Sequence, residues 1–293
     1  MRGLLIICSF ILSGTFYGQV INSGQKTNPI PDHNITYIND YSRVLSFNIC
    51  DNKITVEDAA DFFAGDTILL IQMQGAAIDS SNSAGFGNII DYNNTGNYEF
   101  NYIKSVSGNT IELKNILTRK YDIPNGRVQI VRVPSYRDLE VVDPLSCPAW
   151  NGATGGVLVF IVEDTLTLFQ DVFTDSRGFR GGSTPNINPN TLACGQTGYY
   201  ADSAAWQFAR KGEGVAILNF DKWNGRGKFS NGGGGGNGHN SGGGGGGNYG
   251  PGGSGGNQLD SCGNAPFSNG GIGGAGLIYN NSSNKLFMGG GGG

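Results

Sequence analysis

Alternating hydrophobic and polar positions predict a run of β-strands in residues 51–142. Residues 54–56, 67–73 and 127–133 are rich in apolar and β-branched side chains, and Gly, Asn or Asp residues separate them. Each segment is short, and none continues with the 3.6-residue period of a helix. We therefore expect strands, with at most a helical turn near residues 56–62.

A β-hairpin is predicted at residues 98–117. Residues 98–103 and 110–117 flank Ser107-Gly108-Asn109, which has the composition of a hairpin turn. Residues 76–94 are instead rich in Ser, Asn, Gly and Asp, which predicts an exposed loop. Four or five strands in so short a region predict a small β-barrel or sandwich.

Three closely spaced apolar segments follow at residues 155–162, 164–169 and 171–174. One or two residues between strands are too few for hairpin loops, so this pattern favours successive edges of a β-roll or β-helix coil. Further on, residues 200–210 have the spacing of a short helix, and residues 214–220 that of a strand.

Glycine dominates the rest of the chain in runs that we call arms. They lie at residues 232–236, 242–247, 252–256 and 289–293, and Asn, Ser, Tyr and Pro occupy the junctions, with a further strand predicted at residues 276–279. Ordering glycine costs more backbone entropy than ordering any other residue, so an ordered run needs dense main-chain bonding. Polar junctions favour side-by-side polyproline II arms over a flexible spacer, although the spacer remains the alternative.

The composition of the chain mainly excludes classes of function. The chain has 293 residues, of which 38% are hydrophobic, 11% aromatic and only 14% charged, with a net charge of −4. Nucleic-acid binding needs clustered Lys and Arg, and these are lacking. Apolar residues 4–12 behind Arg2 predict a secretory signal peptide cleaved between Gly18 and Gln19, which places the mature chain outside the cell without a membrane span.

The predicted organisation has four parts. A signal peptide (1–18) precedes an extended lead-in (19–50), the small β-barrel or sandwich (51–142), and a β-roll that merges into the glycine-rich polyproline II bundle (150–293). This is a mostly β fold, and we expect the last part to be truncated at its C-terminus.

Cysteines in an exported chain favour disulfides. The mature chain keeps Cys50, Cys147, Cys194 and Cys262, which allow two bridges with three possible connectivities. None of them forms a C-x-x-C pair and the chain has only two histidines, so no metal site is expected beyond a possible structural calcium at turn carboxylates.

Several sequence blocks together resemble a known group of proteins. These are GDTILLIQMQGAAID (65–79), GNYEFNYIKSVSGNTIEL (96–113), VQIVRVPSY (128–136), WNGATGGVLVFIV (150–162) and RGFRGG (177–182). They resemble the N-terminal region of large surface proteins that gliding bacteria export by type IX secretion. The resemblance implies an exported, adhesin-like protein in which C-terminal repeats and a sorting domain follow.

No catalytic residue is predicted. The pattern G-x-S-x-G at residues 252–256 arises in any glycine-rich tract, and no strand precedes it. Asp164, Asp171 and Asp175 lie near predicted strand corners, where carboxylates usually bond their own turns. Two of them at a suitable separation would instead suit a glycosidase or lyase.

Aromatic residues around the arms are the candidate binding residues. Trp223, Phe229 and Tyr249 could form a face on which sugars stack, with His239 at an arm junction, or they could pack over the glycine bundle. We expect a non-catalytic cell-surface module, structural or adhesin-type, whose partners are surface glycans or other cell-surface proteins, with no cofactor. The alternatives are a carbohydrate-active enzyme on a β-helical scaffold and a protein that binds ice or mineral surfaces.

Overall fold

The computed structural model describes residues 35–183, 196–205, 207–217, 220–238, 240–258, 268–277 and 284–293. The predicted signal peptide and most of the predicted lead-in lie outside these residues. The elements, in chain order, are β1 (Thr36–Tyr37), β2 (Tyr41–Asn48), β3 (Lys53–Val56), β4 (Thr67–Gln74), β5 (Ala77–Ile78), β6 (Ile89–Asp91), β7 (Tyr98–Ser107), β8 (Thr110–Leu113), β9 (Arg127–Val133), β10 (Ser135–Val141), β11 (Leu145–Ser146), β12 (Ile161–Leu168) and a 3₁₀ turn (Phe220–Lys222). The prediction of a mostly β chain is confirmed.

Two compact units share these elements. The first unit comprises residues 1–71, 99–118 and 129–177, and the second comprises residues 72–98, 119–128 and 178–293. Each unit is therefore assembled from separate stretches of the chain.

The first unit is built on a closed sheet. Its strands are hydrogen-bonded in the order β2-β3-β8-β7-β4-β9 and close into a barrel. β4 is almost entirely buried, as expected from its nearly continuous apolar sequence. Strand β2, within residues 19–50, pairs with β3 and β9, so the predicted lead-in in fact supplies a barrel strand.

The predicted hairpin is present in the barrel. Strands β7 and β8 pair antiparallel, and Ser107 lies opposite Thr110. Gly108 in the turn has a φ of 56°, a left-handed conformation that glycine adopts without strain. Residues 56–62 contain a turn and no helix, and the Phe62 amide donates to the Ala59 carbonyl at 3.1 Å, in line with the prediction of at most a turn. The predicted loop at residues 76–94, in the second unit, is also more ordered than expected, because β5 and β6 pair within it.

Parallel pairing distinguishes the rest of the first unit. β10 pairs parallel with β12, and Ser135 lies opposite Ile161 while Leu139 lies opposite Leu166. β1 pairs parallel with β11, and Leu145 of β11 bridges parallel to Val172. Equivalent positions are 26 or 27 residues apart between β10 and β12 and between Leu145 and Val172, as in stacked coils of a β-helix, whereas Thr36 of β1 lies opposite Leu145 from a distant part of the sequence. Only β12 forms of the three strands predicted here, and it runs through the predicted break at residue 163 because the polar side chains there lie on an exposed face.

One apolar cluster forms the core of this parallel layer. Its buried members are Tyr136, Leu139, Val141, Leu145, Cys147, Leu158, Phe160 and Val162. Strand β10 buries Tyr136, Leu139 and Val141, with two exposed residues between the first two where the register shifts, and β12 buries Val162.

A buried amide ties the barrel strand β9 to the segment that precedes β12. The Gln129 side chain is fully buried, donates to the Gly155 carbonyl at 3.1 Å and accepts from the Gly155 amide at 2.8 Å. We expect Gln129→Leu to lower the free energy of unfolding by about 2 kcal/mol, since both polar groups of Gly155 lose their partner. Urea unfolding measures this, and an unchanged midpoint would contradict it.

The second unit contains the glycine arms, which are ordered. Two of the predicted arms, at residues 242–247 and 252–256, are joined by a further arm at residues 270–276. These three arms donate hydrogen bonds to one another in a cycle, and each arm uses amides three residues apart. The bonds run from 242 to 256, 245 to 253, 252 to 274, 255 to 271, 271 to 242 and 274 to 245, at 2.8–2.9 Å. A repeat of three residues is the period of a polyproline II helix, and that conformation stays a prediction.

Close approach explains why these positions are glycine. A methyl group on Gly234 would overlap the Arg226 carbonyl, and one on Gly274 would overlap the Asn231 carbonyl. The backbones are thus in contact where other proteins place side chains. Gly234 and Gly274 do not have a left-handed φ, so backbone conformation does not require glycine at these positions. Glycine is needed there because the backbones are packed so closely.

Asn231 anchors the bundle with its side chain. It is fully buried, accepts from the Val215 amide at 2.8 Å, and donates to the Gly247 and Met288 carbonyls at 3.2 and 3.1 Å. One side chain therefore holds three separate segments together.

Two predicted elements of this unit are wrong. Residues 200–205 and 207–210 form turns and isolated bridges instead of a helix, because Ala201 and Arg210 each lie opposite Asn224 in a bridge. Residues 214–217 are not a strand, because the Val215 carbonyl accepts from Gly75 and Ala76 and its amide bonds the Asn231 side chain. Of the strand predicted at residues 276–279, the described part continues the 270–276 arm.

Candidate recognition site

The four predicted binding residues have different environments. Phe229 is 2% exposed and packs with Phe86 and Ala216, so its ring has no surface to offer a ligand. Trp223 is partly buried under the Arg210 guanidinium, 3.8 Å from its ring centroid. Tyr249 is 82% exposed, whereas His239 lies outside the described residues. The structure therefore does not present the four as one aromatic face.

Tyr249 lies at a rigid junction between two arms. The Asn248 amide donates to the Gly250 carbonyl at 3.0 Å, and the Asn248 carbonyl accepts from the Leu277 amide at 2.6 Å. The backbone of this turn is fixed while the ring extends into solvent, as a stacking ring for a ligand would.

The three corner carboxylates are solvent-exposed. Asp164 lies in β12, and Asp171 and Asp175 follow it. The main-chain carbonyl of Asp171 accepts from the Leu145 amide at 2.9 Å, which stacks two parallel segments. Among the described residues, no group of three or more His, Cys, Asp or Glu side chains is placed to hold a metal ion.

The cysteines differ from the disulfide prediction. Cys50 is exposed, Cys147 is buried, and both are free thiols. Cys147 belongs to the apolar core of the parallel layer, where β10 and its neighbours bury it. Cys194 and Cys262 lie outside the described residues, so a bond between them stays a prediction.

Thiol alkylation tests this assignment. Burial raises the pKa of the Cys147 thiol to about 11, which lowers the thiolate fraction that reacts. We expect iodoacetamide to modify Cys50 at least about 100-fold faster than Cys147 in the native protein, and both equally in urea. Peptide mass spectrometry measures the two rates, and recovery of either residue in a disulfide would contradict the free-thiol assignment.

A polar groove in the first unit contains residues that the sequence did not single out. It has a volume of about 260 Å³ and is lined by Thr36, Tyr37, Ile38, Asp40, Arg132, Pro134 and Tyr136. Nε and Nη2 of Arg132 contact Asp40 Oδ2 at 2.6 and 2.5 Å. Tyr37 is 48% exposed, and the Arg177 guanidinium lies 5.9 Å from its ring centroid.

The groove could not be found by motif, because its two sides come from distant parts of the sequence. Tyr37 and Asp40 lie in the predicted lead-in, whereas Arg132 and Tyr136 flank the Pro134 break after β9. The only sequence signal was the polar and aromatic composition of the lead-in. That composition is as typical of a solvent-exposed segment as it is of a binding groove.

The chain is thus a mostly β protein that carries an ordered glycine bundle, and no described helix is long and apolar enough to cross a membrane. No protein-family model and no curated protein matches the chain. Among solved structures, it is similar to the tailspike protein gp49 from Pseudomonas phage LKA1, with 16% identity over 36% of this chain and 18% of that chain and a TM-score of 0.21. It is likewise similar to the Gp54 tailspike of Acinetobacter baumannii bacteriophage AP22, solved in complex with A. baumannii capsular saccharide, with 18% identity over 44% of this chain and 20% of that chain and a TM-score of 0.21.

Proposed function

We propose that the chain is an exported cell-surface module with a structural or adhesin-type recognition role and no catalytic activity of its own. The predicted signal peptide at residues 1–18 supports export. Type IX secretion and the larger adhesin-like protein remain part of this proposal, on the strength of the sequence blocks that resemble such proteins.

The observation that carries the proposal is the bonding within the glycine arms. Their amides and carbonyls are used by neighbouring arms, as between residues 242–247 and 252–256, so they serve rigidity. A rigid scaffold that holds exposed junctions such as Tyr249 in fixed positions is suited to recognition. Binding then loses little conformational entropy.

Surface glycans are the partners that we propose first. An exposed tyrosine ring on a fixed turn offers a stacking platform for the apolar face of a sugar. Other cell-surface proteins are the second class of partner, since the same ring could enter an apolar contact.

Binding and turnover assays on the purified mature chain test this function. We expect binding to a glycan array or to intact cells without release of reducing ends. Release of reducing ends that Asp171→Asn abolishes would overturn the proposal and favour a carbohydrate-active enzyme. Inhibition of ice growth without glycan or cell binding would favour ice binding.

A further inference from the structure

We propose that the groove formed by Tyr37, Asp40 and Arg132 in the first unit binds an uncharged saccharide, one sugar residue at a time. This inference deepens the proposed function, on which it rests, and it places a recognition site on the β part of the chain in addition to the exposed junction at Tyr249. Three properties of the groove support it, namely its charge balance, its aromatic wall and its fixed backbone.

Charge balance favours an uncharged, polar ligand. Asp40 and Arg132 neutralise each other, and their side chains are 33% and 34% exposed, so both face solvent from the groove. Both guanidinium contacts end on Asp40 Oδ2. Asp40 Oδ1 can therefore accept from one sugar hydroxyl, while the remaining N–H groups of Arg132 donate to the adjacent hydroxyl. Adjacent sugar hydroxyls, each a donor and an acceptor, match this paired arrangement.

Tyr37 gives the groove an aromatic wall. Tyr37 is half exposed, and the Arg177 guanidinium lies 5.9 Å from its ring centroid, so a ligand in the groove can contact the exposed part of the side chain. The C–H face of a pyranose can stack there while its hydroxyls reach the ion pair. A volume of about 260 Å³ lies just below the ~300–1,000 Å³ of pockets that enclose drug-sized ligands, which is why we specify one sugar residue.

The backbone around the groove is fixed before any ligand arrives. The buried Asn39 side chain donates to the Arg132 and Val159 carbonyls at 2.9 and 2.6 Å and accepts from the Val159 amide at 3.1 Å. The Arg132 amide donates to the Asp40 carbonyl at 2.9 Å. The two sides of the groove are thereby held together, and a ligand does not have to order them.

Saturation-transfer NMR on the full mature chain, with a panel of methyl pyranosides as probes, tests the groove. We expect transfer to at least one probe, and Tyr37→Ala and Asp40→Asn should each weaken its binding about tenfold or more. Tyr37→Phe should keep most of the binding, since it keeps the ring. Affinity should be unchanged between low and about 0.5 M salt, because neither the probe nor the Asp40–Arg132 pair that it contacts carries net charge.

Tyr102→Ala is the matched control. Tyr102 is a 38% exposed tyrosine of the same unit, with the Lys114 ammonium 5.6 Å from its ring centroid. The Tyr102→Ala variant should bind the probes like the wild type.

Two outcomes overturn the groove assignment, namely retention of binding in a folded Tyr37→Ala variant and no transfer to any probe. Affinity that falls steeply with salt would assign the groove to an anion. Cell binding that survives in Tyr37→Ala but not in Tyr249→Ala would refute the groove and leave the proposed function standing.

Discussion

Replacing Gly246 by alanine is expected to lower the free energy of unfolding of the second unit by about 3 kcal/mol or more. The added methyl group would overlap the carbonyl oxygen of Gly290 in a neighbouring arm. Relief requires the two backbones to separate, which also strains the hydrogen bond from the Gly290 amide to the Gly247 carbonyl. Overpacking of this kind, against backbone that cannot change rotamer, lies at the upper end of such effects.

Gly253→Ala provides the matched control in the adjacent arm. No atom lies within 4 Å of a methyl group on Gly253, and its carbonyl still accepts from the Gly245 amide. We expect this variant to be neutral or up to about 1 kcal/mol more stable, because alanine restricts the unfolded chain. Urea unfolding followed by the glycine amide signals in NMR separates the two variants. Equal stabilities, or glycine amides that exchange at random-coil rates in the wild type, would refute close packing of the arms.

The sequence was sufficient for β4, β9 and the β7–β8 hairpin, because hydrophobic pattern and structure coincide in these segments. β4 is a nearly continuous apolar segment and β9 carries four Val or Ile residues, most side chains of both are buried, and the Ser107-Gly108-Asn109 turn chemistry locates the hairpin between β7 and β8. Local signals and tertiary packing point to the same structure in these segments.

Elements were mispredicted where tertiary bonding overrides local preference. Residues 200–210 favour a helix locally, yet Ala201 bonds Asn224, and the neighbours of Arg210 bond the neighbours of Asn224. The 270–276 arm was missed because Ile272 and Ala275 interrupt its glycines. Only the hydrogen bonds to the other arms identify it.

The candidate recognition residues show the same limit. The sequence left Phe229 two environments, a sugar-stacking face or packing over the glycine bundle, and packing against Phe86 buries it. Conversely, Tyr37 and Arg132 come together only because residues 36–40 and the β9–β10 junction line one groove. Long-range pairing of this kind carries no local sequence signature.

Replacing Lys211 by methionine is expected to lower the free energy of unfolding by about 3 kcal/mol. The Lys211 side chain is 1% exposed, and its ammonium donates to the Tyr199, Gly225 and Gly227 carbonyls at 2.6, 2.7 and 2.7 Å. Methionine fills the space but removes all three donors. The Tyr199 and Gly225 carbonyls keep a second bond from backbone amides, so the main loss falls on Gly227 and on the charge-assisted bonds themselves.

The pH dependence of this difference identifies the charge of Lys211. Burial lowers its pKa well below the ordinary 10.5, although the three carbonyls oppose the shift by bonding the ammonium. Between the lowered pKa and 10.5 the unfolded chain binds the extra proton, so the stability of the wild type should rise with pH relative to Lys211→Met. The control Lys222→Met removes an exposed ammonium that donates to the Ser80 carbonyl at 3.2 Å, and it should change stability by about 0.5 kcal/mol or less. Parallel stability curves for the wild type and Lys211→Met over this range would mean that the buried ammonium keeps its ordinary pKa, held there by its three carbonyls.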